Sequence, residues 1–179
     1  MTSFSGCFFL VSMVVSLPFL LASSSTLSTK YIDTICNNSK NKTFCLQTLT
    51  TYPPAVSETN MVSLVKIVLG LGLSHAEKTT GFVAELAKEP TFKRYLKVCN
   101  DSYTGIVSEL KVAIVESDED PLSANYDIRV CADQSNIVKY NIGNNTDKSS
   151  KSLMEMTFLM DKFIDICDGA TRSICSTNI

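Results

Sequence analysis

Apolar residues return at every third or fourth position in four successive stretches of this chain, a rhythm that commits it to helices burying one face each. Between Ser57 and Lys88 the seam is Val62, Val65, Leu69, Leu73, Ala76, Thr80, Val83 and Ala87, and Ser57, just past Pro53-Pro54, is the expected N-cap. Between Thr91 and Ser117 it is Phe92, Leu96, Cys99, Tyr103, Ile106, Leu110 and Ala113, with Thr91 as cap. Asp120-Pro121 places a capping carboxylate before a proline at the first helical position, and Ala124, Ile128, Cys131, Ser135, Val138 and Ile142 follow. From about Asp147 onward the seam is Leu153, Met156, Met160, Phe163, Cys167, Ala170 and Ile174, with Asp168-Gly169 an expected early stop. Pro53-Pro54, Pro90, Pro121 and Gly143-Asn144-Asn145 punctuate these blocks, and no run alternates with period two. The expected fold is all-α, an antiparallel up-down-up-down four-helix bundle over residues 57–175.

The segment before Pro53 reads differently. Tyr31 to Asn37 and Thr43 to Thr51 are two short helical runs, and Cys36 and Cys45 flank the polar turn between them. Helices this short are marginal alone, and a bridge closing so short a loop contributes roughly 2–3 kcal/mol. The expectation is a disulfide-stapled hairpin over residues 29–52, appended to the bundle.

Residues Met1 to Ser28 hold no charged side chain, and an apolar run from Cys7 to Ala22 ends in Ser23-Ser24-Ser25. Pro18 interrupts a run already shorter than the ~20 residues of a membrane span. The expected organisation is therefore a cleaved secretory leader over 1–25, followed by one domain over 26–179 that has no membrane association. Removing the leader removes Cys7 and leaves six cysteines, an even number that fits an oxidising compartment. Six cysteines allow 15 pairings. Cys99 and Cys131 lie on inward stripes of consecutive helices, where a bridge is feasible. On one continuous helix Cys167 and Cys175 would stand about 12 Å apart, so they pair only if the helix stops near Gly169; otherwise Cys167 is a buried thiol. Candidate glycosylation asparagines are Asn37, Asn41, Asn100 and Asn144.

The residues exclude most chemistry. His75 is the only histidine and lies off the main stripe beside Ser74, and neighbours one apart on a helix do not face each other. There is no strained G-x-S-x-G turn, no phosphate-cradling glycine loop and no zinc-type cysteine spacing. The expectation is no catalytic residue, no metal and no cofactor. A formal net charge of −2 gives no basic surface for nucleic acid. The acidic run Glu116, Asp118, Glu119, Asp120 lacks calcium-loop spacing and reads as a solvated inter-helix turn. Gly70, Gly72, Gly81 and Gly105 fall inside expected helices, where close packing or a local bend is the favoured reason for them.

Four features in combination carry a family resemblance: the C-x8-C hairpin from Ile35-Cys36 to Phe44-Cys45-Leu46; the long block opening Val62-Ser63-Leu64 and closing Glu85-Leu86; Phe92-Lys93-Arg94-Tyr95-Leu96-Lys97-Val98-Cys99 followed by Tyr103; and Ser123-Ala124-Asn125-Tyr126-Asp127. The chain resembles the plant invertase and pectinesterase inhibitors. The resemblance implies a four-helix bundle preceded by a disulfide-closed hairpin, disulfides Cys36–Cys45 and Cys99–Cys131, secretion to the cell wall or delivery to the vacuole, and binding to a target enzyme whose active site is covered. The family's fourth cysteine is expected near Val138. Cys131 stands seven residues earlier, about two turns, on the same face, so a bridge to Cys99 is expected in shifted register. The tryptophan-containing serine-alanine-alanine stretch of many pectinesterase inhibitors is absent. So is the proline-lysine-phenylalanine motif of invertase inhibitors, since Leu122 and Ser123 follow Pro121. The expected function is inhibition of pectinesterase, with acid invertase as the rival target; the exposed faces of the second and third bundle helices are the candidate contacts. A carrier of apolar ligands, which would need a hollow core, and a non-inhibitory helical protein are the readings from other classes.

Overall fold

A computed structural model describes residues 19–88 and 94–175, and within them every regular element is a helix. These are α1 (Phe19–Asn38), α2 (Lys42–Thr50), α3 (Pro53–Ser57), α4 (Met61–Leu86), α5 (Arg94–Glu119), α6 (Pro121–Ile142) and α7 (Lys148–Cys175). The expected leader lies outside the described residues as far as position 18, as does Cys7, and the backbone of 19–25 forms the first turns of α1. Pro90, Thr91, Phe92 and Lys93 also lie outside them.

Helices α4 to α7 pack each against the next, and α7 against α4, closing the expected up-down-up-down bundle around one core. Caps set the helix starts. Asn60 Oδ1 accepts from the Ser63 amide at 2.9 Å, so α4 begins at Met61 and Ser57 is not its cap. Pro53 and Pro54 instead open the short α3, which ends at Ser57. Asp120 caps α6 through the Ser123 amide at 3.2 Å and hydroxyl at 2.8 Å, as its sequence predicts. Asp147 accepts from the amide and hydroxyl of Ser150 in the same way at the start of α7.

The Cys36–Cys45 disulfide closes the α1–α2 hairpin, with Cα atoms 5.4 Å apart. The hairpin is not a free appendage. α1 packs along α7, and Asp165 of α7 accepts from the Lys40 and Asn41 amides at 2.9 and 2.8 Å, holding the hairpin turn. Arg172 donates to the Asn38 carbonyl at 2.8 Å, and Asn38 donates to the Ser173 hydroxyl at 3.0 Å. For this reason α7 does not stop at Asp168-Gly169. Gly169 sits directly under α1, where an added Cβ would stand 2.8 Å from the Ile35 carbonyl oxygen and 3.1 Å from the Ser39 nitrogen.

The other helical glycines divide. Gly72 is a packing glycine, its missing Cβ facing Cys167 Sγ at 3.0 Å, and Gly105 faces the Gln134 side chain at 3.5 Å. Gly70 and Gly81 have nothing within 4 Å. Close packing therefore does not explain Gly70, and Gly70→Ala is expected to raise stability by about 1 kcal/mol, the propensity difference in a helix interior. Urea denaturation measures it, and a loss of stability would show that α4 needs the glycine to bend.

Candidate docking face

The expected Cys99–Cys131 bridge is not made: both residues are fully buried free thiols. The face is as expected but the height is not. Cys131 Sγ lies on the Ile106 carbonyl oxygen of α5 at 3.8 Å, and Ile106 is seven residues beyond Cys99, about 10 Å along the axis. Sharing a helical face removes the angular offset between two residues, not the axial one. In an antiparallel pair the residue level with Cys99 is then seven positions beyond Cys131, which is Val138, itself fully buried. Burial pushes the Cys99 thiol up to about 11 and the Cys131 thiol to about 12, so neither is a nucleophile. Helix α7 is continuous from Cys167 to Cys175, and the two do not pair. Cys167 is sealed in the core with its thiol on the Val68 carbonyl at 3.7 Å; Cys175, half-buried, donates to the Pro121 carbonyl at 3.2 Å.

His75 is a packing residue. Its Nε2 bonds the Met156 carbonyl at 2.8 Å and its ring stacks obliquely on Phe163, tying α4 to α7. Burial lowers its pKa, partly offset by that hydrogen bond. Tyr103, level with the same core, donates to Thr157 Oγ1 at 3.0 Å. No acid approaches His75 by hydrogen bond, and among the described residues no three metal-ligating side chains are grouped to hold an ion.

The sequon asparagines scatter. Asn37 is exposed near the end of α1 and accepts from Lys42 Nζ at 2.7 Å; Asn41 caps α2 through the Phe44 amide at 3.0 Å. Asn100 is half-buried within α5, and Asn144 is exposed in the α6–α7 turn beside Gly143, whose φ is +53°. The acidic run is not uniformly solvated. Asp118 pairs with Lys66 of α4, Asp120 is spent as a cap, Glu119 points to water, and Glu116 turns into the α5–α6 seam.

What the surface offers instead is apolar. Of nine exposed large hydrophobic side chains among the described residues, six lie on α5 and α6: Val112, Val115, Leu122, Tyr126, Ile137 and Tyr140. Helical periodicity puts Leu122, Tyr126, Ile137 and Tyr140 on one outward stripe of α6, with Val112 and Val115 beside them across the seam. Tyr140 is 86% exposed, Leu122 73% and Tyr126 67%, so these rings and branches gain little from folding. Lone exposed apolar residues are ordinary, but six on two adjacent helices mark this side of the bundle, where the exposed Arg129 and Asp133 stand between Tyr126 and Ile137 on the α6 stripe. Off one edge, between α6 and α7, runs a groove of ≈650 Å³ lined mainly by charged groups, among them Lys40, Arg129, Asp133 and Asp165. That lining is wrong for an apolar ligand, and it gives the face a polar border. The sequence signal for the face was present as apolar residues left over once each inward seam was assigned; nothing in the pattern ranked those leftovers above scattered surface residues.

A family model described as plant invertase/pectin methylesterase inhibitor matches residues 30–159. A solved mutant form A of a pectin methylesterase inhibitor from Arabidopsis shares the fold with TM-score 0.66 at 19% identity, over 79% of this chain and 95% of that one. A pectin methylesterase inhibitor from Arabidopsis thaliana does so with TM-score 0.56 at 18% identity, over 80% and 95%. No curated protein matches the chain.

Proposed function

The chain belongs to the plant invertase/pectin methylesterase inhibitor family, and we propose that it inhibits a pectinesterase by laying the outer face of α5 and α6 over that enzyme's substrate cleft. It is an inhibitor and not an enzyme. The observation carrying the docking reading is the set of exposed apolar side chains on the outer side of α5 and α6, with Tyr126 and Tyr140 among them. Tyrosine joins a large apolar ring to a polar tip at little entropic cost and is a common anchor in protein interfaces. The face is also rigid. The packing of α5 and α6 on each other and on α4 and α7 holds it, so docking orders little of the inhibitor's backbone. A standard inhibitor interface buries roughly 1,600 Å² in total, within reach of two adjacent helices of this length.

Pectinesterase is preferred to acid invertase because two solved proteins that share this fold are pectin methylesterase inhibitors. The proline-lysine-phenylalanine sequence linked to invertase inhibition is also replaced by Pro121-Leu122-Ser123. The same reading includes a cleaved leader and action in the cell wall. It is supported by the disulfide, which suits an oxidising compartment, and among the described residues no helix is long and apolar enough to cross a membrane.

Titrating the oxidised protein against a pectinesterase and an acid invertase, each near pH 5 and pH 7, tests the target. The expected result is loss of pectinesterase activity at near-stoichiometric inhibitor, with invertase unaffected. Tyr126→Ala tests the face: an anchor of this kind carries about 2 kcal/mol or more, so the inhibition constant should rise at least about 30-fold while the melting curve stays put. Unchanged inhibition by a Tyr126→Ala, Tyr140→Ala double variant would remove α5–α6 as the contact.

A further inference from the structure

Two carboxyl oxygens in the α5–α6 seam have no hydrogen-bond donor. Glu116 Oε2 and Asp127 Oδ2 are each sealed from solvent and unpaired. The two carboxyl groups lie within hydrogen-bonding reach of one another across the seam. Two carboxylates present only lone pairs, so facing each other at that range they repel. One proton placed between them turns the contact into a hydrogen bond.

The charges around the pair do not relieve it. Asp120 acts on Glu116 and Glu109 on Asp127, both unfavourably to ionisation. Lysines from α5 and α4 are engaged elsewhere: Lys66 with Asp118, and Lys111 with Glu77 at 3.0 Å. On α6 the buried Cys131 thiol lies close enough to Glu109 and Asp127 to be pushed further up by both. Burial is the leading cause that raises both carboxyls.

We propose that Glu116 and Asp127 share a single proton across the α5–α6 seam, so that the outer face of these helices is held closed in acid and loosens as pH approaches neutrality. Val112, Val115, Leu122 and Tyr126 border this seam, so the proton controls how firmly they are presented. Only that consequence for docking rests on the proposed function; the proton-sharing itself does not.

The sign follows from linkage. A carboxyl pair whose folded affinity for a proton exceeds its unfolded affinity favours the folded state most in acid. That contribution is lost as pH rises through the folded pair's own titration, by up to tenfold in the folding constant per pH unit. Asp120, lowered by its capping bonds from Ser123, and His75, lowered by burial, shift stability in the opposite direction, so wild type and variant are compared at each pH.

Glu116→Gln and Asp127→Asn each replace the shared proton with a permanent amide donor. Urea denaturation from pH 4.5 to 7.5 should show either variant gaining on wild type as pH rises, by up to tenfold in the folding constant per unit, while Glu119→Gln, on the exposed turn, runs parallel to wild type. Carboxyl carbon shifts from NMR should show one of Glu116 and Asp127 titrating above the ordinary range. Parallel curves for both seam variants, or ordinary titration of both carboxyls, would overturn the proposal. None of these readouts involves a target enzyme, so a failed inhibition assay sinks the docking reading and leaves the pair standing.

Discussion

Gly169→Ala is expected to lower stability by about 1–3 kcal/mol, because the added methyl meets backbone rather than a movable side chain. The Cβ would stand 2.8 Å from the Ile35 carbonyl oxygen and 3.1 Å from the Ser39 nitrogen, and would also meet the Ser39 hydroxyl, already bonded to Ile35 O at 3.1 Å. Relief requires α1 to lift off α7. Lifting weakens the bonds from Asp165 to Lys40 and Asn41, and from Arg172 to Asn38, that hold the hairpin turn. Elsewhere glycine in a helix is a liability, and alanine should help by about 1 kcal/mol; here the clash reverses the sign. At roughly 2–4 °C per kcal/mol for a chain of this size, the melting temperature should fall by about 5 °C. The hairpin should also become the first site of proteolysis while the bundle stays intact. Equal or higher stability would mean that α1 does not sit on α7 as described.

Val138→Cys is expected to form the bridge that Cys131 does not. Cys99 and position 138 are both fully buried on facing stripes of α5 and α6. The contacts of Ile106 with Cys131 and of Gly105 with Gln134 set the register that brings them level. Closing a loop of about 40 residues contributes about 4 kcal/mol in the chain-entropy model. The oxidised variant should therefore gain up to that amount over its reduced form, and peptide mapping should find Cys99 joined to the new cysteine with Cys131 still free. A bridge to Cys131 in either protein would show that the α5–α6 register is offset by two turns.

Residue spacing made α5 and α6 almost fully legible. Of the apolar positions read from their periodicity, Leu96, Cys99, Tyr103, Ile106, Leu110 and Ala113 on α5, and Ala124, Ile128, Cys131, Ser135, Val138 and Ile142 on α6, are all buried. Polar residues fill the remaining faces of these helices closely enough that only one seam can turn inward. Helix α4 was less legible. Its sequence is apolar on several faces, so they compete, and the buried set Leu64, Val65, Val68, Leu69, Gly72, Ala76, Thr79 and Val83 keeps Val65, Leu69, Ala76 and Val83 of the expected seam but not Val62, Leu73, Thr80 and Ala87. On α7, Phe163 leaves the bundle core to meet Phe44 of the hairpin edge-on at 5.8 Å, while Gly169, Thr171 and Ser173 are buried although they read as polar or breaking. That helix is covered on two sides, and period alone assumes one.

Local chemistry in the sequence determined the helices, the cap at Asp120, the hairpin staple, and the absence of catalytic spacing, because each depends on residues within a turn or two of each other. Only the tertiary structure decided which cysteines stand level, why Gly169 is glycine, and that Glu116 and Asp127 face each other without a donor. Those facts depend on axial register between helices and on a hairpin folding back across more than a hundred residues to α7, and neither the register of two helices nor their closest approach is encoded in the periodicity of either one.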